Sequence, residues 1–387
     1  MQNQEAATAD IQVLGLDVGG ANLKAAFKDA AGTLQVRDAE FPMWRKNLEL
    51  TEAVEALAHE LFSSTFSNQS SSQVARGEGP SHVANGKGSG HVALTMTGEL
   101  ADCFANRAEG VKYIVESVAR ACPTSKIHVY SVEGRWLTTD EAIQQTWNVA
   151  ASNWHALASW VSNNLRQASK PLAVSDSVLV VDIGSTTADI IPVGVTGLLT
   201  EARTDRDRLA LGQLVYTGIE RTPVCAIVSS LKVAGVQIPI MAERFADSLD
   251  AYLVLGLLDE QSNNLNTADG RPRTSHAASG RLARMIGEDA ERLQPEDLCS
   301  IANQIVEQQV DQIASAIDRN MPQGRIYWSG HGFALQDKIS RKLGDQYQCI
   351  HLRDTFGELA SRCAPAFAVS ELLRQELCGF SEPGEQQ

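Results

Sequence analysis

The pattern of apolar and polar positions predicts strands and helices that alternate along the chain. Residues 11–41 contain three short apolar runs separated by glycine-containing turns, which is typical of a three-stranded meander. Apolar residues then recur at helical spacing in 47–62. The same two patterns continue as a strand, a helix, a strand and a helix over 91–98, 99–122, 126–134 and 139–168.

This order of elements is that of a ribonuclease-H-like lobe. We therefore predict an α/β protein with two such lobes around a central cleft: 1–174 forms the first lobe and 175–364 the second. Residues 365–387 are expected to add a C-terminal helix that packs back on the first lobe. The Ser/Gly/Asn-rich stretch 63–90 is interpreted as a flexible insertion, and 207–315 as a helical insertion in the second lobe.

One strand–turn–strand motif occurs twice. It reads "LGLDVGGANLKAAF" in the first lobe and "LVVDIGSTTADIIPV" in the second, so an apolar strand ends both times in Asp-apolar-Gly before small polar residues and a second apolar run. A tight glycine-containing turn points successive backbone N–H groups into one concavity, which suits phosphate oxygens. An Asp at the rim of such a turn can hold a hydrated Mg²⁺ that bridges those oxygens.

We expect the two turns to hold both ends of a polyphosphate across the cleft, with Asp17 and Asp182 as Mg²⁺ ligands. Lys24 aligns with Asp189, so we expect Lys24 to contact phosphate and Asp189 to orient the threonine turn or a water on the metal. The residues of the turns expected to bind a diphosphate are Gly19, Gly20, Asn22, Lys24, Gly184, Ser185, Thr186 and Thr187. The structural alternative is that each Asp only closes its turn, as Asp often does.

The strand 91–98 is followed by two acidic residues, where this fold class places groups of the cleft. Glu99 is a candidate general base for an incoming hydroxyl, with Asp102 or Arg107 in support and Lys24 completing the catalytic set. The alternative is ordinary helix chemistry, with Thr97 as the N-cap and the acids in the first turn, where the helix dipole favours them.

Two further segments offer candidate substrate-binding side chains. Arg135 and Trp136 follow a strand, and an Arg can bind a carboxylate or phosphate while a Trp can stack on an aromatic ring. A surface salt bridge and a packed indole explain the same pair equally well. Arg221 is a candidate for binding carboxylates, although the turn at Pro223 also explains its segment. His155 lies in a predicted helix as a base or a structural histidine.

Composition narrows the class of protein. The formal net charge of −14 argues against nonspecific binding to nucleic acid or an anionic membrane. The seven cysteines form no C-x-x-C pair, which favours reduced thiols, and no His spacing indicates a bimetallic hydrolase site. The N-terminus lacks a signal-peptide pattern and no apolar run approaches the length of a membrane span, so we expect a cytoplasmic protein.

The two turns, with a later Gly-x-Gly element, resemble the phosphate and adenosine motifs of the sugar kinase, heat-shock chaperone and actin superfamily. The third element is "YWSGHGFA", in which Gly330 and Gly332 would allow close approach of a nucleotide or diphosphate, and His331 departs from the usual small residue. The resemblance implies the actin-like ATPase fold.

A narrower resemblance rests on "ALTMTGELADCF", "AASNWHALA", "VDIGSTTADIIPV", "LVYTGIERTPV" and "RLARMIGED". These segments look like the hydantoinase/oxoprolinase-related proteins linked to tetrahydromethanopterin one-carbon metabolism, among them methanofuran-biosynthesis synthases. The resemblance implies a transferase that couples an aminomethylfuran-methyl diphosphate to the phenol of γ-glutamyltyramine and releases pyrophosphate.

Two other functions stay open. One is an ATP-dependent kinase or an ATP-driven lactam hydrolase of the oxoprolinase kind, and the other is a non-catalytic nucleotide-binding regulatory protein. The expected cofactor is Mg²⁺, with ATP left open. The expected partners are a small-molecule diphosphate and a phenolic amine, with no nucleic acid or membrane, and homo-oligomerisation stays open.

Overall fold

The computed structural model describes residues 11–29, 31–67, 90–168 and 177–379. Contacts divide the chain into two compact units, each built from separate segments. The first unit contains Met1–Ser175, Val193–Asp205 and Thr355–Gln387, and the second contains Asp176–Pro192 and Arg206–Asp354. The lobe boundaries expected at 174/175 and 364/365 stay predictions.

The strands are numbered in chain order. They are β1 (Val13–Val18), β2 (Asn22–Lys28), β3 (Leu34–Glu40), β4 (His91–Met96), β5 (Lys126–Tyr130), β6 (Trp136–Leu137), β7 (Ser177–Ile183), β8 (Ala188–Gly194), β9 (Gly197–Leu198), β10 (Leu214–Val215), β11 (Ser230–Val233), β12 (Val236–Pro239), β13 (Gly324–Gly330) and β14 (Tyr347–His351).

The α-helices are numbered in the same way. They are α1 (Met43–Lys46), α2 (Leu50–Ser67), α3 (Arg107–Ala121), α4 (Thr139–Gln144), α5 (Thr146–Val149), α6 (Asn153–Gln167), α7 (Asp205–Leu211), α8 (Val224–Ile227), α9 (Ser248–Val254), α10 (Ser275–Arg284), α11 (Pro295–Asn320), α12 (Phe333–Leu343), α13 (Leu352–Phe356), α14 (Glu358–Arg362) and α15 (Ala364–Leu377).

The first unit contains a mixed sheet in the order β3-β2-β1-β4-β5-β6. β1 pairs antiparallel with β2 and parallel with β4, and β4 pairs parallel with β5. All six residues of β1 are buried, as expected for a strand that has neighbours on both sides and is covered on both faces. Because β1 and β4 are parallel, the residues that follow both strands lie at the same edge of the sheet.

Helices cover both faces of this sheet. Leu16 of β1 shares one core cluster with Leu57 of α2 and Ile114 of α3. On the other face α15 packs on β1, β4 and α6. A Cβ at Gly15 would lie 2.0 Å from the carbonyl oxygen of Ala366, so this glycine lets α15 approach β1. The first unit is therefore a three-layer structure.

The second unit repeats the strand–turn–strand arrangement. Its main sheet has the order β10-β8-β7-β13-β14, and β9 pairs with β8 beside this path. β13 runs parallel to both β7 and β14, so Gly330 and Ile183 meet at the edge where β7 ends. In the core of this unit, Trp328 of the sheet and Ile313 of the long helix α11 belong to one cluster of buried apolar residues.

The predicted α/β class is confirmed, and several element predictions need correction. The helix predicted over 99–122 begins only at Arg107, because Asn106 caps it by accepting a hydrogen bond from the N–H of Glu109. The helical stretch 139–168 is three helices, with a break at 150–152 where Ala151 has a φ of 47°.

The two predicted insertions differ from expectation in part. The helix α2 continues to Ser67, into the stretch that was predicted as a flexible insertion, and residues 68–89 of that stretch lie outside the described residues. Besides its helices, the region 207–315 contains β10 and a separate hairpin of β11 and β12. The sequence analysis missed the short strands because a run of two to four residues is too short to show an alternating pattern of apolar and polar positions.

A membrane span needs a helix that is both long and apolar. Within the described residues, no helix combines the two properties to the extent that a span requires.

Candidate active site

The turn between β1 and β2 is closed by its own backbone. Gly19 donates its N–H to the carbonyl of Asn22 at 3.0 Å, and a Cβ at Gly19 would lie 2.8 Å from that oxygen. Gly20 has no atom within 4 Å of the position its Cβ would take, so this side of the turn is open. The side-chain amide of Asn22 donates to Asp38 at 3.0 Å. The turn is thus rigid, and Gly20 leaves room for a ligand.

Asp17 and Lys24 lie opposite each other in this hairpin. Asp17 pairs with Lys24, and Lys24 pairs in turn with Asp38 on β3, so the three side chains project from one face of the sheet. The guanidinium of Arg362 bonds Asp38 at 2.7 Å on that face. Burial raises the pKa of the Cys363 thiol to about 12, and the charges of Lys24, Asp38 and Asp17 also act on it. Lys24 therefore lies between two carboxylates beside the proposed phosphate turn.

The turn between β7 and β8 has the same closure. Gly184 donates its N–H to the carbonyl of Thr187 at 2.9 Å. The following loop packs directly on the turn: a Cβ at Gly218 would lie 2.5 Å from the backbone nitrogen of Thr186. Ser185 accepts hydrogen bonds from the N–H of Arg221 at 2.9 Å and from that of its neighbour at 3.0 Å. The loop thus holds the carbonyl side of the turn.

The two acidic residues of the second hairpin have different surroundings. Asp182 is 8% exposed and is the penultimate residue of β7, one residue before the turn. Asp189 forms a buried ion pair with Arg208 of α7, and β10 pairs with its strand at this position. The ion pair gives Asp189 a structural contact that the alignment did not predict, and its orientation of the threonine turn or of a metal-bound water stays a prediction.

Gly330 and Gly332 lie beside the end of β7. Gly330 has a φ of 86°, and a Cβ there would lie 2.1 Å from the carbonyl oxygen of Ile183. A Cβ at Gly332 would lie 2.6 Å from the Ile183 side chain. His331 donates its N–H to the same carbonyl at 3.1 Å, and its Nε2 lies 3.3 Å from Glu220. Packing between strands is therefore a sufficient reason for both glycines.

The strand β4 leads directly into the most deeply buried acidic side chain of this sheet edge. Glu99 is 1% exposed and lies in a single helical turn, Gly98–Leu100, which Thr97 does not cap with its side chain. A Cβ at Gly98 would lie 2.9 Å from the carbonyl oxygen of Gly19, so this turn packs against the β1–β2 turn. Glu99 thus lies next to the first proposed phosphate turn.

The charge state of Glu99 is set by burial and by two charged neighbours. Burial raises its pKa from 4.5 to about 7, and the charge of Asp205 acts in the same direction, while backbone N–H groups of Glu99 and Ala151 and the charge of Arg107 oppose the rise. Arg107 Nη1 lies 3.4 Å from Glu99 Oε1, and its Nη2 lies 2.7 Å from Asp205 Oδ2. A carboxyl with this pKa can take up a proton at neutral pH.

Three other catalytic and substrate-binding candidates, Asp102, Arg135 and Trp136, are less buried than Glu99. Asp102 is exposed on the loop before α3. Arg135 is exposed and its Nε bonds Glu133 at 3.0 Å, which matches the salt-bridge alternative. Trp136 is half-buried, with its ring centroid 5.0 Å from that of Tyr130.

Arg221 and His155 are more buried. Arg221 is half-buried and lies on the loop that packs on the second turn; burial and the charge of Arg244 lower its pKa. His155 is 8% exposed and its Nδ1 lies 3.1 Å from the hydroxyl of Tyr130. Burial and the charge of Arg203 lower its pKa to about 4, so at neutral pH it is uncharged and behaves as the structural histidine of the alternative interpretation.

Comparison with known proteins decides the family. The family model described as Hydantoinase/oxoprolinase matches residues 91–334, more than half of the chain. The chain belongs to this family.

Two curated relatives align with this chain over most of their own length. The (4-{4-[2-(gamma-L-glutamylamino)ethyl]phenoxymethyl}furan-2-yl)methanamine synthase of Methanocaldococcus jannaschii is 31% identical over 376 residues, which are 95% of this chain and 99% of the relative. The protein of the same name from Methanococcus vannielii is 27% identical over 209 residues, 53% of this chain and 94% of the relative. Both relatives are named as enzymes.

A solved structure supports the fold of this member of the hydantoinase/oxoprolinase family. The nucleotide-free structure of an ATP-dependent acetone carboxylase aligns with a TM-score of 0.51 at 10% identity, covering 93% of this chain and 70% of that one. At this identity the likeness speaks for the fold alone.

Sequence reasoning missed two residues around Glu99. Asp205 bonds Arg107 across 98 positions of sequence, and no local pattern connects the two. Trp147 of α5 is 61% exposed and its ring lies 5.3 Å from the Arg107 guanidinium carbon. The available signal was Arg107, at the start of the helix that follows the candidate base Glu99. An Arg beside a buried acid needs further partners, so its presence could have prompted a search for Asp205 and Trp147.

The side chains limit how a metal ion could be held. Among the described residues, no cluster of three or more His, Cys, Asp or Glu side chains could hold a metal ion. Single carboxylates such as Asp17 and Asp182 fit only a Mg²⁺ whose remaining ligands are phosphate oxygens and water, which is the usual way proteins bind this ion with a phosphorylated substrate.

Proposed function

We propose that this protein is a transferase that forms an aryl ether between the phenol of γ-glutamyltyramine and the methylene carbon of an aminomethylfuran-methyl diphosphate. The phenol oxygen forms the new bond to carbon, the bond from that carbon to the diphosphate oxygen breaks with its electron pair, and pyrophosphate leaves. The phenolic proton passes to a base of the protein.

The observation that carries the proposal is the full-length match to the Methanocaldococcus jannaschii synthase. The name of that relative describes a phenoxymethyl-furan, which is the ether that this reaction would make. The match extends over 95% of this chain and 99% of the relative, so it covers nearly the whole length of both proteins.

Glu99 is proposed as the general base. The phenol has an ordinary pKa of about 10, so it needs a base to react at neutral pH. A carboxyl whose pKa is about 7 accepts a proton far better than an exposed Glu and is still ionised in part at neutral pH. Since the side chain of Glu99 is 0% exposed, the proton must reach it through a water or after Arg107 moves.

The glycine turns are proposed to bind phosphoryl oxygens through backbone N–H groups, one at 19–22 and the other at 184–187. Developing negative charge on a diphosphate leaving group is stabilised by such preorganised donors. Lys24 is proposed to add a positive charge beside the first turn. Gly330 and Gly332 are kept as candidate contacts of the diphosphate. Mg²⁺, held by Asp17 or Asp182 together with phosphate oxygens and water, would neutralise charge on the leaving group.

The recognition of the second substrate is proposed to involve Arg221, with Arg135 and Trp136 as weaker candidates. Arg221 is fixed through its backbone to the second glycine turn and is half-buried, which makes its guanidinium a better partner for a carboxylate than an exposed Arg. Arg135 already bonds Glu133, and Asp102 is exposed, so neither is proposed to act directly on the phenol.

An ATP-coupled hydrolase or kinase is the second candidate, and the family model supports it because that model is described by hydantoinase and oxoprolinase. The two functions differ in what leaves. Purified protein is incubated with Mg²⁺, the furan diphosphate and γ-glutamyltyramine, without ATP, and pyrophosphate and the ether are measured by a coupled assay and mass spectrometry.

Equal amounts of pyrophosphate and ether, with Glu99→Gln at least about 10²-fold slower, support the transferase. Absence of the ether, together with ADP formation when ATP and a lactam or another acceptor are supplied, would favour the second candidate.

A further inference from the structure

Arg107 is placed between two acidic side chains that it does not bind equally. Its Nη2 lies 2.7 Å from Asp205 Oδ2, whereas its Nη1 lies 3.4 Å from Glu99 Oε1. The first distance is that of a strong charge-assisted hydrogen bond, and the second is longer than such a bond requires. The guanidinium is therefore engaged mainly by Asp205.

A third side chain restricts where this guanidinium can go. The ring of Trp147 lies 5.3 Å from its central carbon, within the range of a cation–π contact. Arg107 and Asp205 each have side chains that are 16% exposed, so water screens their pairing only in part. The guanidinium of Arg107 thus contacts Asp205 and Trp147 in addition to Glu99, and its shorter bond is the one to Asp205.

Glu99 has a different environment. Its Oε2 is buried and accepts no hydrogen bond from the described residues. The charged groups that face the carboxyl are Arg107 from the first turn of α3 and Asp205 from the start of α7, and the backbone N–H of Ala151 faces it from the loop before α6. A guanidinium that turned fully to Glu99 would stabilise its anion and make it a weaker base.

We propose that Asp205 is a positioning residue that holds the guanidinium of Arg107 away from Glu99 and so keeps the Glu99 carboxyl able to take up a proton. The inference rests on the proposed function in one respect only, namely that the proton taken up by Glu99 comes from the phenol. The arrangement itself is a property of the protein without substrate.

The two charged neighbours predict opposite effects. Asp205→Asn keeps the shape but removes a negative charge and releases Arg107, so the pKa of Glu99 falls by about one pH unit. Arg107→Met keeps an aliphatic side chain beside Trp147 and removes the positive charge, so the pKa of Glu99 rises. A residue that only supported the local fold would not move this pKa in opposite directions in the two variants.

The test is a titration of the full-length protein without substrate, carrying ¹³C at the δ-carbon of Glu. The Glu99 signal is assigned by its loss in Glu99→Gln and followed against pH in the wild type, Asp205→Asn and Arg107→Met. Glu116 lies on the same helix as Arg107 and its side chain is 44% exposed, so Glu116→Gln is the matched control and leaves the Glu99 titration unchanged. If Asp205→Asn does not fold, Asp205→Glu replaces it. The pKa of Glu99 must then equal the wild-type value in Asp205→Glu and still be raised in Arg107→Met.

The inference is overturned if Asp205→Asn leaves the Glu99 titration in place, or if both variants shift it in the same direction. The acid limb of the pH profile of kcat/KM for pyrophosphate release is measured in parallel. If the titration shifts and the profile does not follow, the role of Asp205 stands and Glu99 is not the base. If no pyrophosphate is released by the wild type, the proposed function fails and the titration still decides the inference.

Discussion

Gly110 and Glu99 are in direct contact, because a Cβ placed on Gly110 would lie 2.4 Å from the carbonyl oxygen of Glu99 and 2.7 Å from its Cα. Gly110 lies in the first turn of α3, where a glycine is otherwise a poor choice for a helix. The absence of a side chain lets α3 approach the turn that carries the candidate base.

Gly110→Ala is therefore expected to displace the Glu99 turn. The gain in helix propensity, about 1 kcal/mol, is outweighed by a backbone clash, and we expect a net destabilisation of about 1–3 kcal/mol with a loss of transferase activity. Chemical denaturation and kcat/KM measure both. Gly280→Ala is the matched control, since Gly280 lies in the helix α10 with no atom within 4 Å of the position of an added Cβ. That variant should be neutral or stabilised, and equal behaviour of the two would refute the contact.

The buried carboxyl of Glu99 should make stability depend on pH. Its pKa is raised from 4.5 in the unfolded chain to about 7 in the folded protein, so the folded state binds the proton more tightly. The resulting stabilisation is complete below about pH 4.5 and is lost as the pH rises through about 7.

Glu99→Gln, which cannot titrate, is the reference for this effect. The free energy of unfolding of the wild type relative to Glu99→Gln should fall by on the order of 3 kcal/mol between those limits. Urea denaturation of both proteins at about pH 4.5, 6 and 8 checks the prediction. A difference that rises with pH would show that the carboxyl is stabilised as an anion.

The glycines of the two turns should separate ligand binding from folding. Gly20 and Gly184 have no atom closer than 3.6 Å to the position of an added Cβ, whereas at Gly19 the nearest atom is 2.8 Å away. We expect Gly20→Ala and Gly184→Ala to keep the wild-type melting temperature and to weaken binding of pyrophosphate with Mg²⁺ about tenfold, if the backbone approaches phosphate there. Isothermal titration calorimetry with pyrophosphate measures this.

Gly19→Ala provides the contrast within the same turn. Because its Cβ would crowd the carbonyl of Asn22, this variant should lose stability as well as binding. Unchanged pyrophosphate affinity in both Gly20→Ala and Gly184→Ala would exclude these turns as phosphate sites and leave their repetition structural.

The repeated turn shows how far sequence reasoning reaches. The alignment of Gly19 with Gly184 predicted one local geometry, and both glycines donate to the carbonyl three residues later. Local information was sufficient here because a tight turn is determined by its own few residues. The position of Glu99 after a strand was also predicted, since the ends of parallel strands meet at one edge.

Other features depend on contacts that a single sequence does not reveal. The bond from Arg107 to Asp205 joins residues 98 positions apart, and the ion pair of Asp189 with Arg208 gives Asp189 a role that its alignment with Lys24 did not suggest. The start of α3 was misplaced because the apolar spacing continues through 99–106, while the actual boundary depends on the cap formed by Asn106.

Gly330 of the third motif should be required for the stability of the fold, whether or not it also contacts a ligand. Gly330 combines a φ of 86° with a Cβ position only 2.1 Å from the carbonyl oxygen of Ile183, so Gly330→Ala should destabilise the protein by more than about 2 kcal/mol. Gly235→Ala isolates the conformational contribution, because Gly235 has a φ of 84° and no atom within 4 Å. It should cost only about 1 kcal/mol. Similar losses in the two variants, by denaturation, would show that the contact with Ile183 is not decisive.

The two acidic residues of the second hairpin should fail in different ways when they lose their charge. Asp189 is 7% exposed and its partner Arg208 is 3% exposed, so Asp189→Asn removes a buried negative charge that pairs with this guanidinium and should cost about 3–5 kcal/mol of stability. Asp182 is the penultimate residue of the strand that leads into the glycine turn. Asp182→Asn should leave the melting temperature within a few degrees while Mg²⁺-dependent binding of pyrophosphate weakens at least about tenfold. Calorimetry with and without Mg²⁺ makes the comparison. Loss of folding in Asp182→Asn, or a weakening of pyrophosphate binding that is as large without Mg²⁺ as with it, would assign Asp182 to the fold and not to the metal, because a metal ligand changes affinity only when the metal is present.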